Sequence, residues 1–253
     1  MSIEIVTAPC RSDITAFLVH AAGRTALVDA PEAAPLLAAL EARGWTLDEL
    51  WLTHHHDDHT SATEELRAAY GCTVTGAAAD AHRLPALDRA VKDGDSFMFS
   101  GESVHVMDVS GHTVGHIALH MPSAKAAFTA DSLMALGCGR VFEGTFDQMW
   151  GSLSKLAALP ADTVIYSGHE YTAANARFAV SIEPDNAALI SRHSAVAAAR
   201  EQGLPTVPSR LSEELETNPF LRASRPEMKA TLGMDGASDA EVFAEIRRRK
   251  DAF

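Results

Sequence analysis

The sequence predicts an α+β chain whose sheet-forming part comes first and whose last third is helical, and three observations carry that expectation. Short apolar runs of strand character recur between Ile3 and Tyr166, separated by polar or glycine-containing turns. Beyond about residue 171 this β character stops: residues 173–200 are rich in Ala with Asn, Arg and Leu, residues 205–222 hold Pro205, Pro208 and Pro219, and residues 238–250 read as a helix. Several of the strand-like runs end abruptly in His or Asp, the arrangement by which α/β folds gather chemistry at strand ends. A boundary is therefore expected near 171–173, giving one domain over 1–172 and a helical one over 173–253.

Taken in order, IEIV, AFLVH and TALVDA between Ile3 and Ala30 read as three strands joined by hairpins. Glu32 to Arg43 places Leu36, Leu37 and Leu40 at helical spacing, Gly44 stops that helix, and Glu49 to Leu52 is the next strand. Ser61 with Glu64 fits a capping box for a helix that runs to Tyr70 and ends at Gly71. Residues 72–75 and 96–109 alternate apolar and polar side chains, with turns at Gly94 and Gly101; strands follow at 117–121 and 126–130. A helix near Phe146 to Leu159 and a strand over Thr163 to Tyr166 complete the first part.

The 253 residues suit one large domain or a major domain with a smaller addition, and 47% hydrophobic content is ample for a core. No apolar run approaches the ~18 to 20 residues that cross a bilayer. The N-terminal MSIEIVTAPCRSD has no basic region followed by a hydrophobic stretch, so a cytoplasmic protein is expected. Cys10, Cys72 and Cys138 are odd in number and lack a C-x-x-C pairing, which suggests reduced thiols and neither a disulfide framework nor a thiolate zinc site. A net charge of −13 argues against nucleic acid and anionic membranes as partners, although seven of the 21 Lys and Arg residues lie between Arg222 and Lys250.

The densest chemistry lies in WLTHHHDDHT, residues 51–60, where an apolar strand end runs into four histidines and two aspartates. A histidine-rich surface loop is the plain alternative, but six titratable side chains set against a hydrophobic strand are hard to explain by solvation alone. Imidazole nitrogen and carboxylate oxygen suit zinc, iron and manganese, so the loop can direct His54 and His56 to one ion and Asp58 and His59 to another, with His55 and Asp57 pointing elsewhere. Three later strand ends repeat the placement: His112 in GHTVGH after VHVMDV, Asp131 after AAFTA, and His169 after TVIYSG. A glycine-flanked histidine such as His112 completes many turns without any further role, but four such ends in one chain point to a single cleft.

The spacing H-x-H-x-D-H, filled by His54, His56, Asp58 and His59, resembles the signature of the metallo-β-lactamase superfamily. The segments GCGRVFEGT at 137–145, SGHEYTAANARFA at 167–179, NPFLR at 218–222 and the terminal RRRKDAF narrow the resemblance to glyoxalase II, the hydroxyacylglutathione hydrolase family, over nearly the whole chain. That resemblance implies an αββα sandwich of two mixed sheets with a C-terminal helical domain. It implies two divalent metal ions, zinc first, with iron or manganese as alternatives. The first ion falls to His54, His56 and His112, the second to Asp58, His59 and His169, and Asp131 bridges them; Asp58 and Asp131 are the catalytic carboxylates. It also implies that Arg140, Phe142, Tyr171, Arg222 and Arg225 hold the glutathione part of the substrate, with Arg247 to Lys250 either reaching the ligand or forming a solvated face.

Two cations sharing Asp131 and a water would lower that water's pKa from 15.7 to roughly 7, giving a bridging hydroxide as nucleophile, while one metal polarises the thioester carbonyl. A thiolate leaves readily, so no strong general acid is required, and Asp57 is a candidate to hydrogen-bond a ligand histidine. The expected reaction is hydrolysis of an S-2-hydroxyacylglutathione, S-D-lactoylglutathione in the first place, by a monomer acting in methylglyoxal detoxification. The competing expectation is a mononuclear iron glutathione persulfide dioxygenase, a relative that usually lacks the long helical C-terminal region. Three departures from the family pattern stand out: Phe142 where some relatives have tyrosine, Ser12 to Thr15 in place of Asp-Asn-Tyr, and Ala130 before Asp131 where glycine is common.

Overall fold

The computed structural model describes residues 3–253; Met1 and Ser2, which open the N-terminal stretch read above, lie outside the described residues. The chain groups into two units, one running to Asp108 together with Val114–Thr129, the other comprising Val109–Thr113 and Ala130–Phe253.

In the first unit, the three expected N-terminal strands form antiparallel hairpins: β1 (Glu4–Cys10), β2 (Ile14–Ala21) and β3 (Arg24–Val28). β1 runs on through Pro9, which a strand at the sheet's edge tolerates because one side of its backbone needs no ladder bond. Helix α1 (Ala33–Glu41) ends ahead of Gly44, whose φ of +65° is the left-handed conformation that breaks a helix. β4 (Glu49–Trp51) then lies parallel to β3.

Helix α2 (Asp57–Thr60) and helix α3 (Thr63–Tyr70) follow, and α3 ends at Gly71 with φ +67° as expected. The capping box at Ser61 and Glu64 does not form. α3 starts at Thr63 behind Ala62, one residue later than a cap at Ser61 would place it; the Ser61 oxygen accepts from Nη2 of Arg11 at 2.8 Å and its proton goes to the Asp57 carbonyl, while Glu64 pairs with Arg67. β5 (Thr73–Ala77) and β6 (Arg89–Val91) extend the parallel part, giving a mixed six-stranded sheet in the order β1 to β6.

β7 (Ser96–Phe99), β8 (Glu102–Asp108), β9 (Ile117–Met121) and β10 (Ala126–Ala130) form an antiparallel run in a second sheet. Alternation along each strand sorts side chains between two layers. Leu18, Leu27 and Leu50 face Leu36 and Leu40 of α1 and Leu66 of α3. Their chain neighbours Phe17 and Trp51 turn the other way, Phe17 meeting Phe128 at 6.0 Å and Trp51 meeting Phe97 and Phe99 edge-on at 5.4 and 5.2 Å. This helix, sheet, sheet stacking is the layering expected of the fold.

In the second unit, β11 (Leu133–Met134) and β12 (Gly137–Cys138) make a short ribbon. Helix α4 (Phe146–Ala157) begins on a capping box of Thr145 and Gln148, and β13 (Val164–Ser167) pairs with β14 (Ser209–Arg210). The helical stretch consists of α5 (Thr172–Ile182), α6 (Ala187–Glu201), α7 (Leu211–Thr217), α8 (Pro226–Leu232) and α9 (Asp239–Ala252). The Ala-rich stretch 173–200 holds two helices, divided around Pro184, where Asn186 caps α6 by accepting the Leu189 N–H. Phe178, Phe220 and Phe243 pack together at 6.1 and 5.9 Å, and the buried Arg247 guanidinium lies 5.0 Å over the Phe220 ring. No described helix is long and apolar enough to cross a membrane.

Candidate metal centre

The histidine loop of the first unit is fixed from beneath by Asp29, a residue that reading the sequence as strand did not single out. Parallel pairing of Val28 with Trp51 brings the ends of β3 and β4 side by side. Asp29, buried and with φ +59°, turns its carboxylate onto the chain after β4. Oδ1 accepts the Thr53 N–H at 2.9 Å, and Oδ2 accepts the Thr53 hydroxyl at 2.9 Å and lies 2.8 Å from Nδ1 of His59.

These bonds decide tautomers. Because the Thr53 hydroxyl spends its one proton on Asp29, its oxygen accepts from Nδ1 of His54 at 3.0 Å, so Nε2 of His54 carries the lone pair. His59 likewise holds its proton on Nδ1 toward Asp29. Nε2 of His54 and Nδ1 of His56 are 3.1 Å apart, close to the roughly 3.3 Å that separates two nitrogens on one tetrahedral ion at zinc–nitrogen distances. Donor atoms of His54 and His59, and of Asp58 and His59, also lie within 4.8 Å of each other. His55 turns away as expected, its Nδ1 2.8 Å from Asp80. Asp57 is exposed, so it is Asp29 rather than Asp57 that holds a histidine of this loop.

The second unit carries the other three expected ligands. Oδ2 of Asp131 lies 3.4 Å from Nε2 of His112 and 3.4 Å from Nε2 of His169. Nδ1 of His112 donates to the Arg140 carbonyl at 2.7 Å, which places the lone pair on Nε2, toward Asp131. The GCGR segment is glycine-rich because of close approach: a Cβ on Gly139 would stand 2.0 Å from the Asp131 carbonyl oxygen and 2.9 Å from Nδ1 of His112. Two exposed aromatic rings lie against these histidines, Tyr171 stacked on His169 at 4.5 Å and Phe142 at 5.2 Å from His112. Arg140 stands beside them, half-exposed, with Nε 3.3 Å from Asp251.

Arg222 is engaged elsewhere. Its Nε and Nη2 donate to the two oxygens of the largely buried Glu183 at 2.8 Å each, a fork-to-carboxylate pair that raises the arginine's pKa. It borders a cleft with Pro184, Glu216 and Glu227 that none of the seven His and Asp residues lines. Arg225 is exposed at the start of α8. In the NPFLR segment, Asn218 donates to the carbonyls of Met134 and Gly137, so this motif clasps the β11–β12 ribbon. Of the terminal basic run, Arg247 is buried and donates to the Cys138 carbonyl and to Asp251, and Lys250 lies 5.3 Å over Phe178.

The donor set fits divalent metal ions. Each of His54, His59 and His112 has one ring nitrogen committed to an acceptor, which orients the ring and directs a lone pair from the other, and Asp131 is a buried carboxylate facing imidazoles, an arrangement that a cation stabilises.

Residues 11–169 match the metallo-β-lactamase superfamily, and residues 170–253 match the hydroxyacylglutathione hydrolase C-terminus. The hydroxyacylglutathione hydrolases of Ruegeria pomeroyi and Roseobacter denitrificans are each 64% identical to the chain over the full length of both partners. That of Methylococcus capsulatus is 54% identical over 99% of each. Among solved structures, ETHE1 from Myxococcus xanthus aligns with a TM-score of 0.65 at 23% identity, over 98% of this chain and 90% of its own. The BLEG-1 B3 metallo-β-lactamase aligns with a TM-score of 0.67 at 17% identity, over 86% and 99%. These two likenesses show the metallo-β-lactamase fold.

Proposed function

The chain belongs to the hydroxyacylglutathione hydrolase family of the metallo-β-lactamase superfamily, and on that premise we propose that it hydrolyses S-2-hydroxyacylglutathione thioesters, S-D-lactoylglutathione foremost, to glutathione and the hydroxy acid. Its place is then methylglyoxal detoxification. The observation that carries the reading is the position of the Asp131 carboxylate, 3.4 Å from Nε2 of His112 and of His169, which suits a carboxylate shared between two ions.

In this reading His54, His56 and His112 would hold one ion, Asp58, His59 and His169 would hold the other, and Asp131 would serve both. Two divalent cations bound there, zinc in the first place, would lower the pKa of a water toward ~7 and draw electron density from a carbonyl. The protein's own part is to hold the donors ready. Asp29 and Thr53 lock the tautomers of His54 and His59, and the Arg140 carbonyl locks that of His112. Preorganisation of this kind removes the rearrangement that would otherwise accompany charge development at the thioester.

Phe142 and Tyr171 offer apolar faces beside His112 and His169, and Arg140 offers a guanidinium for a glutathione carboxylate. Because a thiolate leaves without a strong acid, the site needs no protonated side chain at the sulfur. Cytoplasmic location, a monomeric state and the absence of nucleic-acid or membrane partners belong to the same proposal.

The test is turnover of S-D-lactoylglutathione, followed as loss of the thioester with stoichiometric release of free glutathione. Oxygen consumption with glutathione persulfide, in place of thioester hydrolysis, would support the dioxygenase alternative. The helical region from Thr172 onward and the full-length relatives favour the hydrolase.

A further inference from the structure

Asp80 has no solvent exposure and sits in the short turn Ala78–Asp80 after β5. Its Oδ2 lies 2.8 Å from Nδ1 of His55, and its Oδ1 accepts from Nε of Arg83. Arg83 in turn donates through Nη2 to the Val114 carbonyl at 2.9 Å. Gly115, at φ +93°, packs on the same side chain so closely that a Cβ there would lie 3.0 Å from Cβ of Asp80. One buried carboxylate thus grips two loops, and each is a loop that carries ligands in the reading above. His55 stands between His54 and His56 in the chain, and Val114 stands two residues after His112.

A carboxylate without contact to water is expensive unless charged or polar partners satisfy it, and here the partners are a histidine of the ligand loop and an arginine tied to the other loop. None of the three has a role in holding metal directly. We infer that Asp80 is a positioning residue for the metal centre. Braced by Arg83, it fixes His55, and a tripeptide whose middle side chain is anchored cannot swivel, so the rings of His54 and His56 keep their directions. Through Arg83 the same brace holds the Val114 carbonyl. This inference rests on the assignment of His54, His56 and His112 as metal ligands.

The test uses the full-length chain, stripped of metal and titrated with zinc against a chromophoric chelator, with thermal unfolding and steady-state hydrolysis of S-D-lactoylglutathione alongside. Direct carboxylate partners of ligand histidines change metal affinity by ~10- to 100-fold; one residue further out, Asp80→Asn is expected to weaken zinc binding by about tenfold. The accompanying loss in hydrolysis falls in kcat, with KM little changed. His55→Phe, which removes the donor to Asp80, should lose as much, whereas His55→Asn, which places an amide N–H near the position of Nδ1, should restore most of it. The control for mere stability is Glu49→Gln, another buried carboxylate of the same unit, which pairs with Arg24 and Arg89. It should lower the melting temperature and leave zinc affinity alone. If Asp80→Asn and His55→Phe behave like Glu49→Gln, Asp80 only supports the fold and the inference is overturned. A wild-type chain that binds zinc but leaves S-D-lactoylglutathione intact overturns the hydrolase reading alone, because the zinc titrations still decide the role of Asp80.

Discussion

Oδ2 of Asp29 lies 2.8 Å from Nδ1 of His59, and the same carboxylate takes both the N–H and the hydroxyl of Thr53. One side chain at the end of β3 therefore sets the tautomers of two histidines in the next loop. Asp29→Asn puts an amide N–H where the ring N–H of His59 needs an acceptor. Zinc affinity is expected to fall by ~10- to 100-fold in a chain that still folds, measured by chelator competition. Unchanged affinity would remove Asp29 from the account.

Gly139 cannot carry a side chain where it stands, since its Cβ would meet the Asp131 carbonyl at 2.0 Å. Backbone cannot yield as a flexible side chain does, so Gly139→Ala must displace the segment bearing Asp131 or Gly139. The expected result is loss of bound metal together with loss of hydrolysis, read by elemental analysis and a thioester assay. A variant with full metal content would mean that this approach has no part in placing Asp131.

The Arg222–Glu183 pair predicts a stability defect where the family resemblance predicts a substrate defect. Arg222→Ala strands a Glu183 side chain that is only 7% exposed, and breaking a buried pair in this way costs about 3 to 5 kcal/mol. Urea denaturation should show that loss, with KM for S-D-lactoylglutathione nearly unchanged. The opposite pattern, a large rise in KM at full stability, would return Arg222 to the glutathione site.

The cysteines should be silent in the native protein. Burial pushes the thiols of Cys10 and Cys138 up to about 11, against the opposing influence of Arg247 on Cys138, and Cys72 is raised by burial as well. At about pH 8 all three remain protonated, so an aromatic disulfide reagent should label them only as fast as the chain unfolds. A thiol that reacts within seconds would contradict their buried, protonated state.

What could be read from the sequence was local. The loop from His54 to His59 announces itself by six titratable residues after an apolar strand, and β9 and β10 fall on 117–121 and 126–130 as expected from their apolar runs between turn residues. What escaped depends on partners distant in the chain. TALVDA looks like a strand and nothing more; the role of Asp29 exists only because parallel pairing brings it beside Thr53, 24 residues on. Arg222 meets Glu183 across 39 residues, which no motif records. β11, β12 and β14 are two residues each and have no periodicity to detect. The start of α3 also turns on a distant partner, since the Ser61 oxygen accepts from Arg11, 50 residues away, and α3 begins behind Ala62.

The most direct test of the account is Asp131→Ala, assayed for metal content and for hydrolysis of S-D-lactoylglutathione on protein prepared in parallel with wild type. If Asp131 is the carboxylate shared by two ions, wild type carries two divalent ions per chain, while the variant retains at most one and loses activity by orders of magnitude. Near-native turnover with the full complement of metal in the variant would contradict the assignment of the centre.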